Sequence, residues 1–131
     1  TRLPDPVGKA ARDLAAVLHP HFLREEEIAL PPLGALKSLA QRQPVEGADA
    51  ILAMSDSLRA ELTRMLQEHV AIQAAVQQLH DVATRAGVAS AVELADALAL
   101  HARTEEDVLY PAALVVGDML RREAAVSART P

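Results

Sequence analysis

The sequence predicts an all-α fold, and three observations lead to that prediction. Half of the 131 residues are hydrophobic, and most of these are Ala, Leu and Val. Ala and Leu favour helices, whereas the aromatic residues that favour strands are limited to one Phe and one Tyr. Apolar residues also recur at intervals of three and four, which is the spacing of one helix face. Helices with such faces bury them against one another in a bundle.

Composition narrows the classes of function. The formal net charge is -5, with acidic and basic residues interspersed, so nucleic acid is not an expected partner. Cys is absent, so any metal must be held by His and carboxylate groups. No apolar run approaches the roughly 20 residues that span a bilayer, and we expect no signal peptide in the first residues. We expect one cytoplasmic domain over residues 1–131, without a membrane partner.

Prolines divide the N-terminal part of the chain. Residues 1–7 hold two of them and are predicted to form an extended lead-in. A helix is predicted from Gly8 to about Ala29, ending at the Pro31-Pro32 pair. Pro20 lies inside this helix and is expected to bend it or make it restart, because proline removes a hydrogen bond and clashes with the preceding turn.

The remaining elements follow from apolar spacing and from breaker residues. A short helical piece is predicted over Leu33–Ala40 and a loop over Gln41–Asp49. The longest helix should run from about Ala48 to Ala86 and stop at Gly87. Its buried stripe comprises Leu58, Leu62, Met65, His69, Ile72, Val76, Leu79 and Ala83.

The last helix is expected to begin at a Ser90 cap. Pro111 should bend or interrupt it, and a final helical stretch should occupy residues 112–125. Residues 127–131 are predicted to be a frayed tail.

Two windows of eleven residues share one pattern, the first starting at His21 and the second at His101. Each has Glu at plus four and plus five, an acid at plus six, an apolar residue at plus seven and Pro at plus ten. The chain has only five His, so chance explains the match poorly. Residues four apart lie on the same helix face, so His21 pairs with Glu25 and His101 with Glu105. Each pair can present an imidazole nitrogen and a carboxylate oxygen to one metal ion, or to two ions bridged by the carboxylate.

His69 interrupts the apolar stripe of the longest helix. A buried imidazole needs a polar partner, and a metal held by the two His/Glu pairs would provide one. Imidazole and carboxylate ligands suit iron or manganese, and zinc is a less natural occupant because the chain offers no thiolate. The candidate metal ligands are therefore His21, Glu25, His69, His101 and Glu105.

These residues resemble the hemerythrin-like (HHE) cation-binding domain family. That family has His-x-x-x-Glu on two helices of a bundle and a single His on each of the others. The resemblance covers roughly Leu18 to Pro111, most of the chain. It implies an up-down four-helix bundle and a non-haem di-iron centre with oxo or hydroxo and carboxylate bridges. It also implies a small ligand such as O2 or NO.

The family pattern has one more helix, with its own His, ahead of His21. His19 cannot serve, because two residues along a helix it points roughly to the opposite side. We expect the N-terminal helix to be absent or truncated in this chain. Without that helix, the three remaining helices of the bundle would expose an apolar groove. We therefore also expect self-association as a homodimer.

Three hypotheses about function follow from these residues. The favoured one is a non-enzymatic iron protein that binds or senses O2 or NO, or handles iron. A di-iron oxidase or peroxidase-like enzyme would use the same ligands, although no further nucleophile or base stands out. The third is a metal-free helical interaction module. Outside the ligand set, His19 is interpreted as exposed, His80 as a structural or second-layer histidine, and Glu26 and Glu106 as second-choice ligands or outward charges.

Overall fold

The structure is a computed structural model that describes residues 4–129, in which every regular element is helical. Four helices have 16 residues or more, two are short, and one turn is π-helical. The all-α prediction is confirmed. The elements are α1 (Asp5–Ile28), α2 (Leu30–Leu33), α3 (Leu36–Ala40), α4 (Ala48–Ala86), α5 (Ala89–Thr104), the π-helical turn (Glu105–Leu109) and α6 (Tyr110–Arg129).

Helix α1 bears on two predictions about proline. It begins at Asp5, so the lead-in is shorter than predicted; residues 1–3 lie outside the described part of the chain. Pro6 falls in the first turn, where the missing N–H has no helical partner to lose. Pro20 neither ends nor restarts the helix. Because Pro20 has no N–H, the carbonyl of Ala16 lacks its usual helical donor. Both residues are exposed, so water can donate that hydrogen bond instead.

The predicted stop at the proline pair is confirmed, because α1 ends at Ile28. Pro31 and Pro32 then fall in the short helix α2, which has proline in its first turn. The predicted helical piece over Leu33–Ala40 is divided between the end of α2 and helix α3. The loop that follows ends slightly earlier than predicted, since α4 begins at Ala48.

The junction between α4 and α5 is a Schellman motif. Gly87 has φ +71°, the Val88 N–H donates to the Ala83 carbonyl at 2.9 Å, and the Gly87 N–H donates to the Thr84 carbonyl at 3.2 Å. The predicted stop at Gly87 is confirmed. The predicted Ser90 cap is wrong. The N-cap residue of α5 is Val88, which makes no side-chain capping hydrogen bond, because the Schellman motif that ends α4 leads directly into α5.

The last long helical segment is interrupted as predicted, but the interruption precedes Pro111. It is the π-helical turn over Glu105–Leu109, and α6 starts at Tyr110. Pro111 lacks an N–H and would clash with the carbonyl one turn earlier, and a widened turn accommodates both effects. Helix α6 continues to Arg129, so the frayed tail is wrong for residues 127–129. Thr130 and Pro131 lie outside the described residues.

The chain forms two compact units. Within the described residues, the first comprises residues 4–22 together with residues 63–105. Its core joins the start of α1, the C-terminal half of α4 and helix α5, through Val7, Ala10, Leu14, Ile72, Val76, Leu79, Val82 and Ala95. Apolar residues from three helices thus fix the faces that α1 and α4 turn inward.

The second unit comprises residues 23–62 and the described residues from 106 to 129. Ala35, Leu39, Val116 and Leu120 form its buried cluster, and α2 packs against α6. Gly117 permits a close approach of α6 to α4, since a Cβ added there would lie 2.6 Å from the Ser55 Cβ. The Ser55 hydroxyl, in turn, donates to the Ala113 carbonyl at 3.1 Å.

No helix within residues 4–129 combines the length and apolar character needed to cross a membrane.

Candidate metal centre

Helix α1 carries the first two candidate ligands one turn apart. His21 and Glu25 are four residues apart, so their side chains leave the same face of the helix. Both are buried, with 1% and 4% of their surface exposed. The i, i+4 spacing noted in the sequence therefore places an imidazole and a carboxylate together inside the protein.

Helix α4 brings His69 directly against His21. The two Nε2 atoms are 2.9 Å apart, and the ring centroids are 4.6 Å apart with an interplanar angle of 59°. His69 is 1% exposed. Met65 and Ile72, about one helical turn to either side of His69, are buried as well, so His69 lies on a buried face of α4.

The π-helical turn determines where Glu105 points. Buried positions follow one another at Ala102, Glu105, Tyr110 and Ala113. The step from Glu105 to Tyr110 is five residues, one more than a regular α-helical turn provides. A π-helical turn spaces its bonded residues five apart, which keeps both side chains on the buried face.

Four of the five predicted ligands meet. One ligand atom from each of His21, Glu25, His69 and Glu105 lies within 4.8 Å of the others, and all four residues are buried. These residues come from α1, α4 and the π-helical turn. Two imidazoles and two carboxylates thus converge on one point.

His101 is the predicted ligand that lies outside this group. Its side chain is 52% exposed, while its Nε2 lies 2.9 Å from Glu105 Oε1. The Phe22 ring approaches it nearly edge-on, with centroids 6.2 Å apart and an interplanar angle of 86°. His101 therefore reaches the group through Glu105, from the solvent side.

Glu68 was not identified from the sequence. Its Oε1 lies 3.2 Å from Nδ1 of His21, and its side chain is 23% exposed. The repeated windows do not include this residue, and its only sequence signal is that it directly precedes His69. Adjacent residues leave a helix about 100° apart, so the helical pattern alone does not place Glu68 near the same ring.

The other two histidines stay outside the group. His19 is exposed on α1. The His80 side chain is 36% exposed, and its nitrogens lie 3.8 Å from Asp81 Oδ1 and 3.7 Å from Asp96 Oδ1. Neither arrangement suggests a ligand role, which agrees with the sequence interpretation.

The converging residues fit a metal ion chemically. Two nitrogens bound to one ion at about 2.1 Å and about 90° to each other lie about 3.0 Å apart. The observed separation of the His21 and His69 Nε2 atoms, 2.9 Å, is close to that value. Burying two carboxylates is unfavourable unless their charge is compensated, and a cation between them provides compensation. The donor set therefore suits a cation.

Comparison with known protein families identifies a match over most of the chain. The family model described as the hemerythrin HHE cation binding domain matches residues 2–113, which includes all the candidate ligands. Searches of curated proteins and of solved structures find no significant match.

Proposed function

The chain belongs to the hemerythrin HHE cation-binding family, and on that premise we propose that it is a non-haem iron protein. In this proposal His21, Glu25, His69, His101 and Glu105 hold carboxylate-bridged iron, which binds or senses O2 or NO, or serves in iron handling. The family is one of metal-binding domains, and the buried His/Glu group has the composition of a metal site.

The observation that carries the proposal is the convergence of four buried ligand residues. His21 and His69 bring their Nε2 atoms to 2.9 Å, and a carboxylate oxygen from each of Glu25 and Glu105 lies in the same group. Groups of this kind on a protein surface are common without a metal. Here all four are buried, and burial of ionisable side chains requires compensation.

Ligand chemistry favours iron over the alternatives. The chain has no Cys, so thiolate sites for zinc or iron–sulfur clusters are excluded. Imidazole mixed with carboxylate is typical of non-haem iron in helical bundles, with manganese or zinc as the other metals that such ligands accept. Two carboxylates from different helices also suit a pair of ions, because each carboxylate has two oxygens.

The protein's own residues have distinct tasks in this proposal. His21 and His69 donate through Nε2, and Glu25 and Glu105 supply the negative charge. Burial of the four residues keeps bulk water from their donor atoms. His101, half exposed, approaches the group with its Nε2 2.9 Å from Glu105 Oε1 and adds a third imidazole. Iron, when bound, supplies an open coordination position for a diatomic ligand.

We favour a protein that binds a small ligand over an enzyme. Beyond the ligand set, no nucleophile or general base stands out in the repeated windows or in the buried group, and no observation favours an enzyme specifically. A metal-free interaction module gives no reason for two imidazoles and two carboxylates to converge in the buried interior.

The test is the metal content of protein produced with added iron. We expect about two iron ions per chain, together with near-ultraviolet charge-transfer absorption in the oxidised protein. Adding NO to the reduced protein should change the absorption spectrum of the reduced protein. A His21→Ala/His69→Ala double variant prepared in parallel provides the control. Wild-type protein that is iron-free and colourless would contradict the proposal.

A further inference from the structure

Glu68 and His69 contact opposite nitrogens of the same imidazole. His69 Nε2 lies 2.9 Å from Nε2 of His21, and Glu68 Oε1 lies 3.2 Å from its Nδ1. The two residues are consecutive on α4, so one stretch of helix holds the His21 ring from both sides. We propose that Glu68 is a positioning residue that fixes the orientation and the tautomer of His21. This inference rests on the proposed iron site.

The argument starts from what a carboxylate can do. An ionised carboxylate only accepts hydrogen bonds, so the contact with Glu68 requires a proton on Nδ1 of His21. A neutral imidazole with its proton on Nδ1 has its lone pair on Nε2. That nitrogen belongs to the buried group formed with Glu25, His69 and Glu105. Glu68 therefore selects the tautomer whose lone pair faces the proposed metal position.

Orientation follows from the same contact. An imidazole anchored only through its Cβ can rotate about two side-chain torsions. A hydrogen bond at Nδ1 restrains this rotation and keeps Nε2 directed toward the site. Carboxylates placed in this way behind metal-bound histidines raise the basicity of the ligand nitrogen. Glu68 would thus strengthen binding without touching the ion.

Partial exposure suits Glu68 for this role. Its side chain is 23% exposed, whereas Glu25 and Glu105 are 4% and 1% exposed as residues. Access to water lowers the cost of retaining a negative charge at the edge of the site. The charge of Glu68 then adds to the attraction for a cation within.

The experiment compares Glu68→Ala, Glu68→Gln and the control Gln67→Ala. Gln67 precedes Glu68 on the same helix and is exposed, so its variant reports on general effects of substitution there. The affinity for Fe²⁺ is measured anaerobically by competition with a chelator. We expect about 10- to 100-fold weaker binding for Glu68→Ala. Glu68→Gln, whose amide oxygen still accepts a hydrogen bond, should lose less, and Gln67→Ala should match wild type.

A second measurement separates this inference from the proposed function. Long-range ¹H–¹⁵N NMR spectra of the metal-free protein report which His21 nitrogen carries the proton. We expect the Nδ1–H tautomer in wild type and a loss of that preference in Glu68→Ala. If wild type binds Fe²⁺ and both Glu68 variants bind equally well, the positioning role is overturned while the iron site stands. If wild type binds no Fe²⁺, the iron proposal fails, and the tautomer still decides whether Glu68 orients His21.

Discussion

His21 and His69, 48 residues apart in sequence, place their Nε2 atoms 2.9 Å apart, with each residue 1% exposed. Two imidazole nitrogens in such proximity share one proton in a hydrogen bond, or they share one cation. The nearby carboxylates of Glu25 and Glu105 favour the cation. This pair is the centre of the proposed iron site, and the first prediction concerns it.

Replacing either histidine should remove bound iron. We expect His21→Ala and His69→Ala each to weaken iron binding at least about 10- to 100-fold, because each removes a ligand nitrogen. Iron per chain after desalting measures the effect. His19→Ala is the matched control, since His19 lies two residues before His21 on α1 and is exposed. Equal iron loss from all three variants would argue for a general effect on folding instead.

His101 and Glu105 should differ in their contributions. Glu105 is buried in the ligand group, so Glu105→Ala should abolish iron binding. His101 is half exposed, so His101→Ala should shift the melting temperature of the metal-free protein little, because it removes no buried group. Its iron affinity should still fall, by less than that of His21→Ala. Competition with a chelator measures the iron affinity of both variants, and thermal denaturation measures their melting temperatures. An unchanged affinity in His101→Ala would remove His101 from the ligand set.

Gly117 should be intolerant of a side chain. Alanine in a helix interior normally stabilises by about 0.5–1 kcal/mol over glycine. At position 117 a Cβ would overlap Ser55, and overpacking of this kind costs about 1–3 kcal/mol, so Gly117→Ala should lower the free energy of unfolding. Chemical denaturation provides the measurement.

Gly8→Ala is the control for that substitution. Its Cβ would meet only Arg12 Nη1, at 3.3 Å, and this flexible end can move aside. We therefore expect Gly8→Ala to be neutral or stabilising, by up to about 1 kcal/mol. If Gly117→Ala stabilised the protein as well, the close approach of Ser55 and Gly117 would be wrong.

Much of the helical pattern was predictable from local physics. The apolar stripe and the glycine stop placed α4 at residues 48–86, which are the bounds observed. The repeated windows predicted that His21 and Glu25 lie side by side, because residues four apart share a face of any α-helix. Periodicity and breaker residues act within a few positions of one another, so a single sequence reveals them.

Features that depend on packing between distant segments were not predictable. The π-helical turn reflects Pro111 together with the burial of both Glu105 and Tyr110, and sequence spacing shows only the proline. The Glu68 contact with His21 links positions 47 apart. The prediction of a Ser90 cap was wrong because the Schellman motif at Gly87 fixes the start of α5 at Val88 and Ala89.

X-ray diffraction from crystals of the iron-loaded protein, recorded on both sides of the iron absorption edge, tests the central claim most directly. The account predicts an anomalous peak at bonding distance, about 2.0–2.3 Å, from Nε2 of both His21 and His69. Carboxylate oxygens of Glu25 and Glu105 should complete its surroundings. An iron peak elsewhere in the molecule, or no peak in protein shown to contain iron, would contradict the account.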